Sequence, residues 1–195
     1  RLLTIDHLFL LTESYFYYAC YLQDDNAVAE LKNLSRFFEI TTEYHDGDWD
    51  ILKRDGTSFH HWTHYIAYMY GYNPWIAGIA SLKDTQFKIS LDAYTRLKKG
   101  MVSIYIMSNR DPSGNYHANS LSGRHPLYGL KNPVTRQSFE SMIEIGGDIL
   151  GTGIDTELAA QYNYFFSSDK YDVNPTKMDG YYQFNWSFSN GWYGR

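Results

Sequence analysis

Between Leu8 and Leu22 (LFLLTESYFYYACYL) apolar and aromatic residues fall on nearly every side of a helical wheel, which predicts a helix buried on several sides. Asn26 fits the N-cap of a second helix from Ala27 to about Thr41, with Val28, Leu31, Leu34, Phe37 and Phe38 on one face. Residues 45–59 (HDGDWDILKRDGTSF) read as a loop rich in Asp and Gly. An aromatic segment follows from His60 to Tyr72. Ser90 caps a long helix reaching about Ser108, with Leu91, Tyr94, Leu97, Met101, Ile104 and Tyr105 as its stripe. From Asn109 to Lys131 no hydrophobic period survives and turn residues dominate, so a long loop is expected, a type often functional in compact domains. Asn132 and Pro133 form a cap-plus-first-turn signal for a helix to about Leu150, and Asp155 caps another to about Phe166. After Pro175 the period shortens to two, since Tyr182, Phe184, Trp186 and Phe188 alternate as in a strand. The pattern is mainly α, with a β-domain beginning near residue 180.

Composition narrows this picture. A chain of 195 residues can bury one good core, and 44% hydrophobic against 20% charged residues favours folding over disorder. A net charge of −5 argues against a general nucleic-acid binder. The apolar runs are too short to span a bilayer. A single cysteine, Cys20, excludes an internal disulfide and a multi-cysteine zinc site, and its apolar helix predicts an inert core thiol. The 19 Tyr, 11 Phe and 5 Trp suggest wet, stacking surfaces with hydroxyls to spare. The chain opens at Arg1 with no leader visible and closes on an aromatic strand, so a piece of a longer protein is expected.

The densest chemistry lies at 55–72 (DGTSFHHWTHYIAYMYGY), where His60, His61 and His64 fall within five positions. On a helix His61, His64, Tyr65 and Tyr68 would share one face. A zinc site is disfavoured, because the zincin pattern places two His four apart with Glu between, whereas His61 and His64 are three apart without one. Acid–base work by His and Tyr requires something to lower the Tyr pKa from about 10. A cation would do so, and SGRHP at 122–126 offers Arg124 between Gly123 and the rigid exit of Pro126. Residues 146–153 (GGDILGTG) lack the ending of a phosphate loop and read as helix termination. Arg96, Lys98 and Lys99 read as a solvated helix face, and neither Ser-His-Asp nor Cys-His catalysis has a local signature.

The order DGT-x-x-x-H, a Tyr seven residues on, a helix and then GRHP resembles the chondroitin ABC lyases, in the polysaccharide lyase group of chondroitin AC, hyaluronate and xanthan lyases. The likeness runs from about Asp46 through the helix after GRHP, and more loosely to YYQFN at 181–185. It implies the last part of an incomplete α/α toroid over residues 1–175, leading into the first strands of an antiparallel β-sandwich at 176–195. Position by position it matches His61, Tyr68 and Arg124 to the family's catalytic histidine, tyrosine and arginine. A glutamate from the following β-domain completes the family site and is not found in this chain. His60, Trp62, His64, Tyr65, Trp75 and His125 are expected to touch substrate, the aromatics by stacking on sugar faces. The sequence departs from the best-known ABC enzyme at His60, Trp62 and His64, which bears on substrate preference. The implied activity is β-elimination on chondroitin or dermatan sulfate by a secreted or periplasmic monomer, with no cofactor required and Ca or Mg admitted only as a structural or tuning ion. Two other readings stand beside it. A glycoside hydrolase would need two carboxylates across the scissile bond, from among Glu13, Glu43, Asp46, Asp48 and Asp50. A non-catalytic carbohydrate-binding module is supported only by the aromatic richness.

Overall fold

The computed structural model describes residues 3–46, 50–60, 66–117, 134–184 and 191–194, without the side chains of 66–68 and 191–194. Among these residues the fold is mainly helical, 57% in helix with six α-helices. They are α1 (Ile5–Tyr21), α2 (Asp24–Thr41), α3 (Tyr72–Ala80), α4 (Leu91–Ile106), α5 (Arg136–Leu150) and α6 (Thr156–Phe166). A 3-10 helix, Ile66–Gly71, runs directly into α3. Three antiparallel hairpins complete the set: β1 (Ile51–Leu52) with β2 (Ser58–Phe59), β3 (Asn109–Arg110) with β4 (Tyr116–His117), and β5 (Tyr181–Phe184) with β6 (Gly191–Gly194).

Helix α3 is the hub. It packs against α1 and α2 on one side and α5 on the other, while α5 also carries α4 and α6. Its short apolar sequence, YNPWIAGIA, suits that place, with Tyr72, Trp75, Ile76, Gly78 and Ile79 all buried. Helix α1 meets α2, α3 and the 3-10 helix along one side only. Its burial is therefore narrower than its composition predicts: Ile5, Leu8, Thr12 and Ala19 are buried, whereas Phe9, Leu10, Tyr17, Tyr18 and Tyr21 are exposed. Cys20 is exposed as well, so it is not a core thiol.

The caps explain where the other helices begin. Ser90 Oγ accepts from Ala93 N–H and Asp155 Oδ1 from Leu158 N–H, both as expected. Helix α5 starts later than Asn132 and Pro133 suggest, because Thr135 Oγ1 takes the Ser138 N–H. Helix α2 starts two residues ahead of Asn26. On α4 the expected stripe is buried except Leu91, which is 51% exposed in the first turn. The glycine-rich 146–153 stretch does end a helix: Gly151 adopts φ 69°, ψ 27° at the C-cap of α5, a left-handed turn that suits a residue without Cβ.

The tyrosines divide in a way composition does not reveal. Tyr72, Tyr94, Tyr105, Tyr116 and Tyr162 lie in the core, and their hydroxyls tie elements together. Tyr94 donates to Asp155 Oδ2 (2.6 Å), Tyr105 to the Val134 carbonyl (2.9 Å) and Tyr116 to the Phe165 carbonyl (2.6 Å). Burial pushes the Tyr72, Tyr94 and Tyr105 phenols far above their ordinary value, so these hydroxyls stay protonated donors. The basic face of α4 is likewise structural. Lys98 Nζ lies 2.7 Å from Asp155 and 2.8 Å from Glu157, Arg96 Nε donates to the Thr42 carbonyl (2.9 Å), and Lys99 Nζ to the Arg54 carbonyl (2.6 Å). These cations are tied to neighbouring elements, with Lys99 also exposed to solvent.

Candidate active site

Within the 45–59 stretch, residues 51–59 form a hairpin rather than an open loop. Ile51 pairs with Phe59 and Leu52 with Ser58. The turn closes through Lys53 N–H to the Thr57 carbonyl (2.8 Å), and Asp55 Oδ1 accepts from both the Thr57 N–H (2.9 Å) and hydroxyl (2.7 Å). DGT is thus a turn motif: Asp55 locks the return strand that delivers His60. Ser58 Oγ and the Tyr72 hydroxyl lie 2.6 Å apart in the core and pin that strand to the start of α3. Lys53, fully buried, donates to the His45 carbonyl (2.9 Å) and sits 4.9 Å from the centre of the Phe59 ring. Burial, then the Lys53 charge, pull the His45 pKa below its usual range.

The hairpin ends at a polar knot. His60 is 1% exposed, and its Nδ1 lies 2.6 Å from Asp50 Oδ2. A carboxylate at this distance can only accept, so Nδ1 carries the proton. Nε2 faces Asp6 Oδ1 of α1 at 3.8 Å. The same Asp6 oxygen accepts from the Tyr70 hydroxyl, and the His60 and Tyr70 rings meet edge to face at 6.5 Å. Three elements far apart in sequence thereby converge on the two ends of one segment.

Two of the sequence-predicted site residues fall on described side chains. His60, expected to touch substrate, occupies this buried position between carboxylates. Trp75, expected to stack on sugar, is 0% exposed in the core, edge-on to Tyr72 at 5.4 Å; α3 is covered on both sides, which leaves its indole no open face. Tyr68 lies in the 3-10 helix, where residues three apart eclipse, and its side chain is outside the described residues. His61, Trp62, His64, Tyr65, Arg124 and His125 are also outside them, and so is the expected shared helical face. Asp6, Asp50 and Tyr70 were not recognised as partners of His60 from the sequence. Asp50 stood out only as one of several loop carboxylates, and nothing local couples Asp6 to residues 60–70.

The GRHP stretch is bracketed by described residues. Before it, the β3–β4 hairpin turns through Asp111, whose Oδ2 lies 2.8 Å from His117 Nε2; that contact and the Asn115 N–H hold the Asp111 carboxyl down at about 2. After it, Asn73 Oδ1 accepts from Thr135 N–H (3.0 Å) and the Ser138 hydroxyl (2.7 Å). Asn73 belongs to the second position of α3, immediately after the 3-10 helix. Thr135, nine residues after Pro126 in sequence, is therefore anchored to the start of α3. Among the described residues, no group of three or more His, Cys, Asp or Glu side chains is arranged to hold a metal ion, and no helix is long and apolar enough to cross a membrane.

Residues 5–171 match the family model described as "Lyase, catalytic", the catalytic domain of polysaccharide lyases. The chain belongs to that family. The match covers α1 through α6, so the helical body, the hairpin ending at His60 and the Asn73 anchor all lie within the catalytic domain. A comparison with curated proteins gave no match. The family's chemistry is that of a lyase acting on polysaccharide, which implies a polysaccharide substrate.

Proposed function

We propose that this lyase domain cleaves uronate-containing glycosaminoglycan, chondroitin or dermatan sulfate, by β-elimination, with His61, Tyr68 and Arg124 as its catalytic residues. The family match carries the reading. The Asn73 anchor supports the pairing of residues otherwise far apart, because it ties the exit of the Arg124 stretch to the start of α3, five residues beyond Tyr68. The C5 proton of a uronate is weakly acidic, and its removal builds negative charge next to a carboxylate. Arg124 and His61 stabilise that charge as preorganised donors. The Tyr68 oxygen takes the C5 proton, the electron pair forms the C4–C5 double bond, and the C4–O bond breaks. The departing glycosidic oxygen receives a proton from Tyr68. No water is consumed and no redox group is needed.

Trp62, His64, Tyr65 and His125 line the sugar chain in this reading. The helices form part of an α/α toroid, and the β5–β6 hairpin opens a β-sandwich. The enzyme acts as a secreted or periplasmic monomer, with Ca or Mg at most tuning it. Incubation of the full-length enzyme with chondroitin sulfate, dermatan sulfate and hyaluronan tests it: an ultraviolet-absorbing unsaturated product is expected from the first two. Tyr68→Phe keeps the ring and removes only the hydroxyl, so turnover should fall ~10²–10⁴-fold. Saturated products would replace the lyase by a hydrolase, and a Phe variant within a few fold of the parent would remove Tyr68 from the chemistry.

A further inference from the structure

We propose that Asp6 is a positioning residue, a clamp that holds the 3-10 helix bearing Tyr68 against α1 through Tyr70; its catalytic consequence rests on the lyase reading above. One carboxylate oxygen, Asp6 Oδ1, faces His60 Nε2 at 3.8 Å and accepts from the Tyr70 hydroxyl. His60 immediately precedes His61, and Tyr70 lies two residues after Tyr68. Asp6 thus ties the 3-10 helix that carries Tyr68 to the first turn of α1.

Three further observations make the clamp stiff. Asp6 sits in the first turn of α1, where the partial positive charge of the helix N-terminus favours a carboxylate. Phe9, one turn on, packs edge to face on Tyr70 at 5.0 Å, so α1 grips that side chain by ring and by hydroxyl. The backbone is drawn in as well: a Cβ at Gly71 would come within 2.8 Å of the Ile5 carbonyl oxygen and 3.2 Å of Leu8 Cβ, so this approach depends on glycine. The arrangement matches what proton transfer demands, because displacement of about 1 Å from productive geometry can cost ~10²-fold in rate.

Asp6→Asn keeps the shape and removes the charge. Amide hydrogen exchange of the purified chain is expected to rise about tenfold or more in peptides covering residues 60–71, as local opening becomes easier, with α4, α5 and α6 exchanging as in the parent. Unchanged exchange at 60–71 would overturn the clamp. On chondroitin sulfate the same variant should lose kcat ~10²-fold with KM nearly constant, and Asp6→Glu, which restores the carboxylate, should recover part of it. Parental kcat in Asp6→Asn while Tyr68→Phe is inactive would overturn the positioning role. A merely structural residue would lower the melting temperature and leave kcat alone. Should Asp6→Asn not fold, Tyr70→Phe, which retains the ring against Phe9, supplies the same readouts. Absence of unsaturated product from the parent chain would count against the lyase reading alone, and exchange would then decide the clamp.

Discussion

The body formed by α4, α5 and α6 and the segment from Asp50 to Gly71 are stabilised by different means. In the first, rings do most of the work. Tyr105 lies 5.1 Å from both Tyr116 and Phe139, and 5.4 Å from Phe165 and Phe166, while Tyr162 lies 4.7 Å from Phe166. Such contacts are numerous, mostly edge to face, and each adds to burial energy. In the second, two-residue strands and a 3-10 turn bury Ile51, Leu52, Phe59 and Met69, but polar ties set their geometry: Asp55 to Thr57, Ser58 to Tyr72, Lys53 to His45, Asp50 to His60, Asp6 to Tyr70. The body supplies stability by redundancy. The segment's polar ties each hold one geometry, which is the property a reactive strand requires.

The sharpest way to break this contrast is to attack the body. Phe139 is fully buried and touches Tyr105, Tyr162, Phe165 and Phe166. Phe139→Ala should cost about 3–5 kcal/mol, read as a lower urea midpoint for the whole chain. Lyase turnover well below the new melting temperature should stay near the parent's. A loss under about 1 kcal/mol would mean that the ring cluster is dispensable and the contrast false.

An intermediate effect is expected in the hairpin. Lys53→Ala removes the ammonium from a fully buried site and strips the His45 carbonyl of a donor. Losing a buried partner costs about 1–3 kcal/mol, and here the cost should stay local. Hydrogen exchange should quicken over residues 51–59 and stay parental in α5 and α6. If the whole chain weakens equally, hairpin and body form one cooperative unit.

The same contrast sets what could be read from the sequence. Helices α4 and α6 follow from a cap residue and a repeating apolar stripe, because helix burial is periodic and local. Ser90 and Asp155 do what their positions imply. Helix α1 was legible as a helix and not in its burial, since composition does not say how many sides neighbours cover. The burial of Trp75 was hidden for a related reason: a tryptophan near a His-rich motif suits stacking and core equally, and the helices around α3 enclose it. The segment at 50–71 was readable as chemistry and not as structure. Its DGT turn looks like any loop, and its anchor, Asp6, lies 64 positions from Tyr70 with no periodicity linking them. The basic run on α4 failed similarly. Arg96, Lys98 and Lys99 find partners on three other elements, and sequence spacing carries no trace of that.

The smallest expected effect concerns Asp155, where the body borrows the segment's polar style. Its side chain is 2% exposed, caps α6, and accepts from Tyr94 and Lys98. Burial alone would raise its pKa, but the Lys98 ammonium, the Tyr94 hydroxyl and the Leu158 N–H outweigh it and hold the carboxyl below its ordinary value of 3.8. A carboxyl with a lowered folded pKa stabilises the fold above its unfolded value, and that contribution disappears as pH falls through the folded one. Asp155→Asn preserves the cap acceptor and the shape. It turns charge-assisted bonds into neutral ones of roughly half the strength, a loss of about 1 kcal/mol at neutral pH. Urea unfolding of parent and variant at a series of pH values should show the gap constant at neutral pH, narrowing below 3.8 and closing in stronger acid. A gap that persists in acid would mean that Asp155 acts through packing and capping alone. A gap of several kcal/mol at neutral pH would mean that this single ion pair rivals the Phe139 cluster, and that the body too depends on a polar tie.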